Sequence, residues 1–96
     1  MDKTKIDLCD LAKINHLQME IFEEEDTDYP DYEAVKDKEI ELDYILSNIT
    51  NDKTEQLEIS DACTKHLFNT SDITFKPICD DLRSKGYIII SKNNEN

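Results

Sequence analysis

A chain of 96 residues with a single glycine, Gly86, is sharply limited in the turns it can make. Tight hairpins place residues at positive φ, where glycine alone carries no steric penalty. With that one glycine and two prolines, Pro30 and Pro77, a β-sandwich or barrel is disfavoured and a mainly α fold is expected. The length fits one domain. Leu, Ile, Val and Phe make up a quarter of the residues. That lies above the roughly 20% below which a strongly charged chain stays disordered, so most of the chain should fold.

Charge is the second constraint. The formal net charge is −12, and it is unevenly placed. Residues 1–60 hold 18 acids against 6 bases, whereas residues 61–96 hold 5 of each. A surface this negative repels nucleic acid and acidic membranes and attracts basic partners. The three cysteines, Cys9, Cys63 and Cys79, show no disulfide-framework spacing, and Asp2, Asp7 and Asp10 interrupt any apolar leader. The longest aliphatic run is residues 88–90, far too short to cross a bilayer. A reduced, cytoplasmic protein with free thiols is the expectation.

Periodicity divides the chain. Leu8, Leu11, Ile14, Leu17 and Ile21 suit one face of an N-terminal helix over 4–22, capped by Thr4 with Asp7 three residues on. Leu17, Met19 and Ile21 also alternate with polar residues, so a strand stays open there. Residues 23–33, EEEDTDYPDYE, read as an acidic loop, because neighbouring like charges and Pro30 oppose helix. The next helix is expected to carry Pro30 in its first turn and to run to about 48–50. It bears an apolar stripe at Val35, Leu42, Ile45, Leu46 and Ile49. Ile40 and Tyr44 add a second side, so the helix should be covered twice, once by a docked 4–22. A short strand over 57–59, a helix over 61–68 capped by Ser60 and a turn over 69–72 follow. The last helix, 74–85, has Thr74 as its cap, Pro77 in its first turn and Gly86 closing it. A strand over 87–91 and a frayed tail over 92–96 end the chain.

The stretch ITFKPICDDLRSKGYIII, after helix, short strand and short helix, resembles the recognition helix and first wing strand of a winged helix-turn-helix domain. The resemblance covers roughly residues 35–91. It implies a small mainly α (α+β) domain of three to four helices with a minor β element. In it, a core of 34–91 follows the N-terminal helix and acidic loop. The wing is absent or reduced to one strand, since few residues follow Ile90. By the same resemblance Ser71, Thr74, Lys76, Asp80 and Arg83 would face a DNA groove. Two cations on so acidic a molecule are few for phosphate contacts.

Catalysis has little support. No GxSxG, HExxH, GxxxxGK[ST] or GxGxxG occurs. Cys63, His66 and Cys79 could form a thiol–imidazole site or ligate zinc, but without CxxC spacing they read as interior residues. His16 is isolated. No cofactor and no metal is expected.

The acidic loop has two readings. It is either a solubilising segment or a nucleic-acid mimic. In the second, Glu23, Glu24, Glu25, Asp26, Asp28, Asp31 and Glu33 imitate phosphates, and Tyr29 and Tyr32 add stacking area. Glu39, Glu41 and Asp43 would extend the array. In size, acidity and Asn/Lys/Ile-rich composition the chain resembles small acidic inhibitors encoded by phages and mobile elements, including those acting on CRISPR nucleases and restriction systems. That resemblance implies a non-enzymatic, stoichiometric inhibitor docking on the basic surface of a nucleic-acid-binding host protein. The alternative is a winged-helix transcriptional regulator, dimerised through residues 4–22, with Lys76 and Arg83 on phosphate.

Overall fold

The computed structural model describes residues 4–67 and 75–90. Within them the order is β1 (Lys5–Asp7), α1 (Leu8–Glu25), α2 (Tyr32–Ile49), α3 (Lys53–Lys65), α4 (Lys76–Ser84) and β2 (Ile88–Ile90). The protein is therefore a small, mainly helical domain with a minor two-stranded β element, as its glycine content leads one to expect. The turn over 69–72 and the tail over 92–96 lie outside the described residues.

The N-terminal segment is helical over Leu17, Met19 and Ile21, where the alternation left a strand open, and its one strand, β1, lies ahead of the helix at Lys5–Asp7. Thr4 does not cap the helix. Asp7 does, with extended backbone (φ −77°, ψ 133°) and its Oδ1 accepting from the Cys9 amide at 2.9 Å. Leu11, Ile14 and Leu17 then fall on the buried side of α1. The Thr4 hydroxyl instead donates to Glu55 Oε1 at 2.6 Å, tying the chain start to α3.

The helix also runs further than the acidic loop predicts, taking in Glu23, Glu24 and Glu25. Three carboxylates at the negative end of a helix dipole are unfavourable. Packing of α1 along α2 offsets this, because helices in proteins are held mainly by their apolar faces. Two further contacts finish the turn: the Asp26 amide donates to Phe22 O at 3.0 Å, and the Thr27 hydroxyl to Glu24 O at 3.2 Å. The connecting loop shrinks to 26–31. Pro30 lies outside α2. Asp31 is the N-cap, its Oδ1 accepting from the Ala34 amide at 3.2 Å, and Glu33 sits in the first turn.

The expected strand over 57–59 is helical, and Ser60 caps nothing. Helix α3 starts at Lys53 because Asp52 Oδ1 accepts from the Thr54 and Glu55 amides at 2.8 and 3.3 Å. The alternation of Leu57 and Ile59 is a by-product of helical spacing: Ile59, Ala62 and Cys63 recur at i, i+3, i+4 and are buried, while Leu57 points outward.

At α4 the Thr74 cap falls outside the described residues. The residue preceding the helix is Phe75, at φ 53°, with no side-chain cap, and Pro77 lies in the first turn. Gly86, at φ 101°, ends the helix. The Gly86 amide donates to Arg83 O at 3.0 Å and the Tyr87 amide to Leu82 O at 3.1 Å, with Leu82 and Tyr87 both buried. This is the paired-bond helix ending that glycine permits. Tyr87 then turns the chain into β2.

Strand β2 pairs with β1 in parallel, Lys5 against Ile88, Ile6 against Ile89 and Asp7 against Ile90. The first and last described segments are thus joined. Ile6, Leu11, Ile14, Leu46, Ile59, Ile78 and Leu82 meet in the main core with Cys63, Cys79 and Tyr87. Leu17 of α1 and Val35 of α2 are buried outside that cluster. The α1–α2 hairpin therefore extends beyond the core, in a molecule 45 Å along its longest axis.

Candidate functional site

The seven carboxylates of 23–33 gather at the tip of the α1–α2 hairpin. Glu23 and Glu25 end α1, Asp26 and Asp28 occupy the bend, and Glu33 opens α2, all exposed. Among the described residues no ion pair neutralises any of them. Two acids have structural work. Asp31 caps α2, and Glu24 Oε1 accepts from the Asp31 amide at 3.1 Å, fastening the end of α1 to the start of α2. The acids facing outward without such a task are Glu23, Glu25, Asp26, Asp28 and Glu33. Tyr29 is 92% exposed and Tyr32 70%, so both aromatic rings stand among the carboxylates in solvent.

The acidic surface continues along α2, where the apolar residues beside it depart from expectation. The second cover expected over Ile40 and Tyr44 does not exist: they are 59% and 68% exposed. Helices α1 and α3 both pack on the Val35–Leu46 side instead, which leaves the side of Ile40 and Tyr44 bare. Ile40 and Tyr44, one turn apart, share the outer face. Glu39, Glu41 and Asp43, also exposed, flank them.

The groove-facing set of the winged-helix resemblance is arranged differently. Lys76 Nζ lies 2.6 Å from Asp80 Oδ2, and Arg83 Nη1 lies 3.6 Å from Asp80 Oδ1. The hydrogen bond from Lys76, with the charges of Lys76 and Arg83, holds the Asp80 carboxyl below the ordinary range. Both cations are thus turned toward one carboxylate of their own helix. Ser71 and Thr74 lie outside the described residues.

Cys63 and Cys79 are buried in the core, and His66 is half-buried at the end of α3. Among the described residues no group of three His, Cys, Asp or Glu side chains is placed to hold a metal. Burial, with Cys79 nearby, pushes the Cys63 thiol up to about 12, and burial also raises Cys79. His66 Nε2 pairs with Asp81 Oδ2 at 3.3 Å, and Asp81 Oδ1 meets Lys85 Nζ at 3.3 Å. Burial works to raise Asp81, but Lys85 and His66 outweigh it and hold the carboxyl low. Tyr87, buried and donating to Glu58 Oε1 at 2.6 Å, is likewise raised. A thiol raised this far by burial is hardly ever thiolate at pH 8. Alkylation of the native protein at that pH should accordingly label half-buried Cys9 first and leave Cys63 unreacted until unfolding, as read by peptide mass spectrometry. Rapid labelling of Cys63 would reopen the thiol site.

Comparison with known proteins gives no family model, no curated relative and no solved structure that matches the chain. Among the described residues no helix is long and apolar enough to cross a membrane.

Proposed function

We propose that the protein is a non-enzymatic, stoichiometric inhibitor that places its acidic hairpin tip on the basic surface of a nucleic-acid-binding protein. A phage or mobile-element inhibitor of a defence nuclease is the specific form of this reading. One observation carries it. Tyr29, on the turn between α1 and α2, and Tyr32, at the start of α2, stand exposed among carboxylates that form no ion pair among the described residues. Carboxylates supply charge-assisted bonds to Arg and Lys, and the tyrosines supply rigid contact area. Firm support for the turn lowers the entropy lost on docking. The regulator reading has less in its favour, because Asp80 engages both Lys76 and Arg83.

The two readings separate in two measurements. At low salt the purified chain should leave duplex DNA unshifted in a native gel. Affinity capture from lysate of the source cells should yield a basic protein that survives nuclease treatment, and adding the chain should block that protein's DNA binding. A sequence-selective shift of duplex DNA by the chain alone would overturn the proposal.

A further inference from the structure

Two large apolar side chains on α2 stand bare beyond the hairpin bend. Ile40 and Tyr44 lie on the side of the helix that neither α1 nor α3 covers. A lone exposed apolar residue is ordinary on a protein surface. These two are neighbours, and both are more than half exposed. The helix fixes what surrounds them, since neighbours on its surface are three and four residues away. Ile40 is framed by Lys36, Asp37 and Asp43, and Tyr44 by Glu41, Ser47 and Asn48, all exposed. The frame thus sets Asp37, Glu41 and Asp43 against Lys36 alone, and among the described residues none of these four is in an ion pair. Glu33 of the acidic tip, seven residues before Ile40, lies on the same line of the helix two turns away, about 10 Å.

We propose that Ile40 and Tyr44 are the apolar anchor of the docking surface that begins at the hairpin tip, an inference that rests on the reading of that tip. The occupant is then one protein surface, basic where it meets the tip and carrying an exposed apolar or aromatic group about 10–15 Å away. Charge selects it. The frame of the pair is net negative, as the tip is, so a cationic surface gains at both places. A second copy of the chain would set these acids against their equals, on molecules of charge −12. The two parts divide the work. Exposed carboxylates act mainly on the rate of encounter. An aromatic ring and a branched aliphatic chain, desolvated inside a polar rim, act on the rate of escape. Tyrosine adds large rigid contact area at small entropic cost.

The test uses two fluorescein-labelled peptides of equal length and equal Arg content, one with Leu and the other with Ser at the remaining positions. Their affinities for the full chain are read by anisotropy at physiological ionic strength. The Arg/Leu peptide should bind roughly tenfold tighter, the scale of one leucine contact, with amide NMR shifts at residues 36–48. Ile40→Ala with Tyr44→Ala should abolish that excess and leave the Arg/Ser affinity within about twofold, since no charge changes. Both positions are exposed and alanine is the better helix former, so the double variant should fold, checked by its thermal melt. Raising the salt should weaken both peptides and preserve the ratio, because screening acts on charge and not on apolar contact. Lysine at Glu23, Glu25, Asp26 and Asp28 should likewise weaken both and preserve it. No excess in the unmodified chain, or an excess that survives the double alanine variant, would overturn the anchor and leave the tip reading standing. An excess removed by Leu57→Ala instead would place the apolar contact on α3, equally against the proposal. Lysine at the tip weakening neither peptide would count against the tip itself, and the shared surface would fall with it.

Discussion

Replacing Glu23, Glu25, Asp26 and Asp28 by lysine should slow association with the basic partner by roughly one to three orders of magnitude at low salt. Each reversal shifts the charge by two, so the formal charge moves from −12 to −4, with the whole change at the hairpin tip. These four are chosen because the structure gives them no local duty. Glu24 and Asp31 are left alone, since Asp31 caps α2 and Glu24 holds the Asp31 amide. Removing such a cap costs about 1 kcal/mol, which would mix a folding defect with a binding one. The effect should appear mainly in the on-rate, because long-range attraction acts on encounter. It should shrink as salt is raised, as exposed charges are screened beyond about 8 Å at physiological ionic strength. Stopped-flow association with the captured partner, at low and physiological salt, makes the measurement. An on-rate within twofold of the unmodified chain would reduce the tip to a solubilising turn.

Ile6→Ala should strongly destabilise the domain. Ile6 is fully buried at the centre of β1, paired with Ile89. Truncating a buried isoleucine costs about 2–5 kcal/mol through lost transfer energy and the cavity left behind. For a domain of this size about 1 kcal/mol lowers Tm by roughly 4–8 °C, so a fall of well over ~10 °C is expected by calorimetry or circular dichroism. Ile6→Val keeps the β-branched shape and should cost only about 0.5–1.5 kcal/mol. Strands of three residues cannot stand alone. Burial of Ile6 is therefore what fixes the N-terminal segment to β2. A Tm essentially unchanged in Ile6→Ala would mean that the parallel pair is not part of the folded domain.

Much of the fold was legible in local signals. The α4 spacing of Ile78, Cys79 and Leu82, its stop at Gly86 and the Asp81–Lys85 pair could be read directly, because each acts within one or two turns. The start of α3 was equally legible but overlooked. Asp52 with Glu55 three residues on has the form of a capping box, and the alternation of Leu57 and Ile59 drew attention away from it. In the structure Glu55 bonds Thr4 and Thr50 instead of closing the box locally, so the motif marks the start while tertiary contacts use its carboxylate. The acidic tract is legible as a cluster and, over 26–31, as a connecting loop, while Glu23, Glu24 and Glu25 belong to α1 and Glu33 to α2. Repulsion among Glu23, Glu24 and Glu25 argues against helix only until α1 has a neighbour to lie on.

The sequence alone determined a helical domain with sparse turns, the exit at Gly86 and the concentration of acid in the front of the chain, since composition and capping do not depend on distant neighbours. Tertiary structure alone decided that residues from opposite ends pair as β1 and β2, that α1 reaches Glu25, and that Ile40, Tyr44 and Leu57 are left bare. Those outcomes turn on which helix lies against which, and periodicity along one segment marks an apolar side without saying whether anything covers it.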